Sequence, residues 1–124
     1  MEKLINCDII IDIAMIENIS GANQYFEIIF STKDKIKYKL IFDFVWDMRY
    51  SIENGYIDRF AQFTENEKQK SSIVLVENSQ YIKYFEKQVS GTMPLDKLKD
   101  YLLFDAVDTV LEILTNKKPV LVKM

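Results

Sequence analysis

Ile5, Cys7, Ile9, Ile11, Ile13 and Met15 are apolar at a spacing of two, with Asn6, Asp8 and Asp12 among the residues between them. Side chains alternate across a strand, whereas the apolar stripe of a helix returns about every 3.6 residues, so this row reads as a half-buried strand. The same period returns at Phe26, Ile28 and Phe30, with Glu27 facing the other way. It returns again at Ile36, Tyr38, Leu40, Phe42 and Phe44, opposed by Lys35, Lys37 and Lys39. Ser20-Gly21-Ala22-Asn23 and Lys33-Asp34 break the rows with turn-forming residues. Three strands with short connections make an antiparallel meander with one buried face. The other face mixes Asp8, Asp12 and Glu27 with the lysines, which is ordinary cross-strand charge pairing.

Downstream the period changes. Trp46, Tyr50, Ile57 and Phe60 have near-helical spacing and Arg49 lies four residues before Glu53, which predicts a helix over 46–54. Gly55 costs a helix about 1 kcal/mol relative to alanine and leaves 55–64 open between helix and strand. Residues 65–70 read as a polar loop and 72–76 as a short apolar strand. Ser79 is placed to cap a helix with Ile82, Phe85 and Val89 on one face and Gly91 just past its end. A strand over 101–104 follows. Asp105 then reads as the N-cap of a helix carrying Val107, Val110, Leu111 and Leu114, ended by Asn116-Lys117-Lys118-Pro119. Val120-Leu121-Val122 closes the chain as a strand. Strands clustered first and alternating with helices later predict an α+β domain. Its sheet is mostly antiparallel, begins with the three-stranded meander, and carries two or three helices on one face. At 124 residues, 48% of them hydrophobic, the chain fits one domain over 1–124 that needs no disulfide or metal to hold its core.

The chain has no histidine. The usual general base near neutral pH and the commonest metal ligand are therefore missing, and with them the Ser-His-Asp and Cys-His arrangements and most zinc sites. Cys7 is the single cysteine; it sits in an apolar row with no base beside it, as expected of an inert buried thiol. The three glycines form no phosphate-binding loop, and Asp105-Ala106-Val107-Asp108 lacks the ligand spacing of a calcium loop. No cofactor and no metal is expected. The net charge of −3 argues against nucleic acid as a partner, because phosphate contacts need a basic face. No run of 18 apolar residues predicts a membrane span, and Asp8 and Asp12 interrupt any secretory apolar run. An unpaired cysteine suits a reducing compartment, so the expected location is the cytoplasm.

The densest candidate for recognition is the segment 46–54. Trp, Tyr and Arg are the residue types most enriched in interface hot spots, and carboxylates stand among them. The expected partner-binding set is Trp46, Asp47, Arg49, Tyr50, Glu53 and Asp58. A plainer account puts Trp46 in the core and pairs Arg49 with Glu53 on the surface of a helix. Tyr81, Tyr84 and Phe85 form a second aromatic cluster, accounted for most simply by the edge of an amphipathic helix packed on the sheet. Pairs drawn from Asp47, Glu53 and Glu77 would serve a carboxylate-based hydrolysis. With nineteen acidic residues, however, chance pairs are plentiful.

In size, acidic charge, the meander at its start and the segment Trp46-Asp47-Met48-Arg49-Tyr50, the whole chain resembles the immunity proteins of bacterial polymorphic-toxin systems. The resemblance implies a non-enzymatic, cytoplasmic α+β inhibitor that binds a cognate toxin protein, and it carries no binding residue over position by position. Two alternatives stand beside it. One is a regulatory or scaffold domain that forms a homodimer through the strand edge Val120-Leu121-Val122. The other is a small carboxylate-based enzyme or ligand carrier, which would need a deep apolar pocket holding Asp or Glu.

Overall fold

The computed structural model of the chain describes residues 2–52, 71–89 and 98–124. Strands account for 55% of them. In chain order the elements are β1 (Lys3–Asn6), β2 (Met15–Ala22), β3 (Tyr25–Ser31), β4 (Lys37–Phe42), β5 (Asp47–Ile52), β6 (Ile73–Glu77), α1 (Gln80–Val89), β7 (Lys99–Phe104), β8 (Thr109–Thr115) and β9 (Val120–Lys123). They build two antiparallel sheets, one in the order β1-β6-β7-β8-β5 and the other in the order β2-β3-β4-β9. The expected α+β layout with two or three helices is therefore corrected. The fold is a mostly-β two-sheet sandwich with one helix among the described residues. No described helix is long and apolar enough to cross a membrane.

The core lies between the sheets. Ile28, Phe30, Leu40 and Phe42 of β3 and β4 meet Ile73, Tyr101, Leu103, Leu111 and Ile113 of β6, β7 and β8. The five-stranded sheet is also buried on its other face, where Leu4, Val74, Val76, Leu102 and Val110 form a second cluster. Strands buried on both faces read as continuous apolar runs without alternation. That is why Val107, Val110, Leu111 and Leu114 mimicked a helix. In the structure β8 pairs along its length with β7 and β5, and Asp105 opens a tight hairpin between β7 and β8. Its Oδ1 accepts the backbone N–H groups of Val107, Asp108 and Thr109 at 2.9–3.0 Å, and its Oδ2 accepts that of Ile16 at 3.0 Å. The side-chain chemistry expected of an N-cap is present, but it closes a turn.

The meander exists as β2-β3-β4, one segment later than the first apolar row suggested. The row from Ile5 to Met15 is divided. β1 joins the five-stranded sheet, β2 opens the other, and 7–14 crosses between them. Ile9, Ile11 and Ile13 still turn into the core, as their alternation requires. Their backbone is held by two buried serines in place of a neighbouring strand. Ser71 Oγ accepts from the Ile11 N–H at 3.1 Å, Ser72 Oγ accepts from the Ile13 N–H at 2.9 Å, and the Ser72 N–H donates to the Ile11 carbonyl at 2.8 Å. The hairpin between β2 and β3 turns at Asn23 and Gln24, both with positive φ, as two-residue hairpin loops demand. Gly21 lies in β2. A Cβ there would stand 2.1 Å from the Tyr25 carbonyl oxygen, so only glycine fits.

Candidate functional site

The segment 46–54, expected as a helix, is β5 over Asp47–Ile52, an edge strand paired with β8. Correcting helix to strand changes which residues share a face. Asp47, Arg49 and Ser51 point to the outer side of the five-stranded sheet, and Met48, Tyr50 and Ile52 point to the side that faces the other sheet. In register across β5, β8 and β7, two outer rows follow: Asp47, Leu114, Asp100 and then Arg49, Glu112, Leu102. Asp100 and Glu112 are fully buried.

Helix α1 covers this side. Ser79 caps it as expected, accepting the Ile82 N–H at 3.0 Å, while Glu2 takes the Gln80 N–H at 2.9 Å. The Ser79 hydroxyl also donates to Asp100 Oδ2 at 2.6 Å, which ties the start of the helix to β7. One residue into α1, Tyr81 is 2% exposed, and its hydroxyl donates to Asp47 Oδ2 at 2.5 Å. The Arg49 guanidinium carbon lies 3.6 Å from the centre of the Tyr81 ring and 5.8 Å from that of Tyr84. Burial first, then the hydrogen bond to Asp47, pushes the Tyr81 phenol far above its ordinary range. The charges of Asp47 and Glu112 add to the rise, and Arg49 opposes it. Donation to a carboxylate enriches the phenol ring in electron density, which strengthens its hold on the cation above it.

The structure thus brings Asp47 and Arg49 together with Tyr81 and Tyr84. Tyr84 is 56% exposed beside Arg49. It sends Tyr50 elsewhere: that ring, 65% exposed, stands on the opposite side of β5 near Ile16, Ile19 and Thr109. Trp46 precedes β5 and packs on Phe44, with ring centroids 4.9 Å apart. The helical Arg49–Glu53 pairing is removed because residue 49 belongs to a strand. Glu53 and Asp58 lie outside the described residues.

Asp47 and Glu77 do not form a catalytic pair. They lie on opposite faces of the sheet, with β8 and β7 between their strands. A groove of about 460 Å³ runs between α1 and the strands β6 and β7, lined by the apolar Ile5, Leu75 and Ile82 and by the charged Glu77, Lys83, Glu86, Lys99 and Asp100. No group of three or more Cys, Asp or Glu among the described residues is arranged to hold a metal ion. The Cys7 thiol points at the carbonyl oxygens of Ile73 and Ile9, at 3.5 and 3.6 Å, and burial raises its pKa, so it is a weak nucleophile.

Reasoning from the sequence singled out neither Glu112 nor Asp100, and treated Tyr81 as helix packing. The one available signal was Glu112 itself, a charge inside the otherwise uncharged run Thr109–Thr115. No family model, curated protein or solved structure matches the chain.

Proposed function

We propose that this chain is a non-enzymatic binding protein, most concretely an immunity protein that neutralises a cognate bacterial toxin by direct contact. One observation supports this reading above the rest. An arginine and a tyrosine, Arg49 and Tyr84, stand exposed side by side, and the arginine is held in place by the buried Tyr81 and its bond to Asp47. Arg and Tyr on a rigid support are typical hot-spot residues, because little side-chain freedom is left to lose on binding. The binding surface on this reading is the outer edge of β5 together with the exposed side of α1.

The test is co-purification of the tagged chain with the product of the neighbouring gene in its native genome, at moderate salt. A stoichiometric complex is expected. Tyr84→Ala should weaken it at least about tenfold while leaving thermal stability within a degree or two, since the side chain is mostly exposed. Absence of any complex with the wild-type chain overturns the reading. Asp47→Lys is a poorer probe, because it also removes the acceptor of the Tyr81 hydroxyl.

A second reading, self-association, draws on β9. That strand is an edge of its sheet, and Val120 is 57% exposed there. Against it, the strand is four residues long, follows Pro119 and ends on Lys123, all features that blunt an edge. A concentration-independent monomer in sedimentation removes this reading.

A further inference from the structure

Arg49 combines three properties. It is exposed, its guanidinium is stacked 3.6 Å above the Tyr81 ring, and it makes no ion pair or hydrogen bond with any described residue. A guanidinium carries five N–H donors in a rigid fork. With one face on Tyr81, the edge that bears those donors is the part left for polar contact. Most exposed cations differ on this point: the lysines sit on flexible stems, and Lys37, Lys39, Lys117 and Lys118 are already paired with carboxylates. A fork that is fixed, and that no described residue engages, matches a planar, two-oxygen anion, which it grips with two parallel bonds.

The surroundings choose among anions. Asp47 and Glu112 flank Arg49 on the same side of the sheet, and the chain carries a net charge of −3. A polyanion such as nucleic acid would press further charges against those carboxylates. A single carboxylate flanked by neutral groups brings one charge, which the fork can neutralise, beside the ring of Tyr84. We propose that Arg49 is the receptor for an Asp or Glu side chain of the protein partner, seated bidentately on the guanidinium edge beside Tyr84. This rests on the inhibitor reading above and names the chemistry its partner must present.

The test follows the Arg49 Nε–H resonance of the ¹⁵N-labelled chain during titration with two tetrapeptides. They are blocked at both ends and differ only in glutamate against glutamine; inorganic phosphate at matched ionic strength is the third probe. The glutamate peptide should shift the Arg49 signal saturably and bind about tenfold more tightly than its glutamine counterpart, the scale of one charge-assisted bidentate pair. Arg49→Lys, which keeps the charge and loses the fork, should abolish that preference while the backbone spectrum stays folded. Equal responses to both peptides, no response to either, a preference retained in Arg49→Lys, or phosphate binding as tightly as the glutamate peptide would each overturn the inference. So would a neighbour-protein complex as tight with Arg49→Lys as with wild type, and that result leaves the inhibitor reading standing. Failure of the wild-type chain to form the complex strikes the inhibitor reading in a separate measurement.

Discussion

Tyr81 links the helix to the sheet edge, and its hydroxyl does so through one proton. The phenol is buried, donates to Asp47, and supports Arg49 on its ring. Tyr81→Phe keeps the ring and removes the bond. It should cost about 1 kcal/mol in urea denaturation, and no measurable loss would remove Asp47–Tyr81 from the account. The pH dependence has a defined sign. Folded Tyr81 holds its proton above the ordinary tyrosine value of 10.0, so above that pH the unfolded chain binds fewer protons than the folded one. Stability from this group is therefore complete below pH 10 and is lost as pH rises beyond it. Burial raises Cys7 and Tyr101 in the same direction, so alkaline titration should unfold the wild type, and Tyr81→Phe should show a shallower loss above pH 10. At this scale residue type alone drew attention to Asp47 and Arg49, which the structure brings together at Tyr81, and equally to Trp46 and Tyr50, which it places elsewhere. Glu112 and Asp100 were not legible, since a buried carboxylate acquires a role only from the helix and strands laid around it.

Elements were legible in proportion to how clearly one face met water. β3, β4 and β9 alternate, and α1 has a cap and a one-sided apolar stripe, so each lies close to where the residues placed it. β8 is buried along almost its whole length, which erased its period and let a helical spacing compete. β5 failed for a different reason. As an edge strand it exposes both sides, and Asp47–Ile52 mixes polar and apolar residues without a clean pattern. The β7–β8 hairpin depends on Asp105, whose carboxylate accepts four backbone N–H groups and so also pins the start of β2. Asp105→Ala should cost about 3 kcal/mol in chemical denaturation and raise amide exchange at Ile16 and Thr109 together. A loss confined to one of those amides would mean that the carboxylate serves only its own turn.

For the whole molecule, two sheets share one core, and neither holds it alone. Leu111, fully buried in β8, faces that shared layer. Leu111→Ala should cost about 3 kcal/mol and shift a single cooperative transition; separate melting of the two sheets would contradict a common core. By itself the sequence determined that the chain is built from antiparallel strands with an apolar interior, that 79–89 is a capped helix, and that histidine-based chemistry is absent. These follow from local periodicity, capping and composition, which need no distant partner. Only the tertiary structure decided that the first apolar row is shared between two sheets, that 109–115 is a strand, and that Tyr81 meets Asp47 and Arg49. Each depends on contacts between residues tens of positions apart, such as Ser72 with Ile13 or Tyr81 with Asp47, and no window of neighbouring residues contains them.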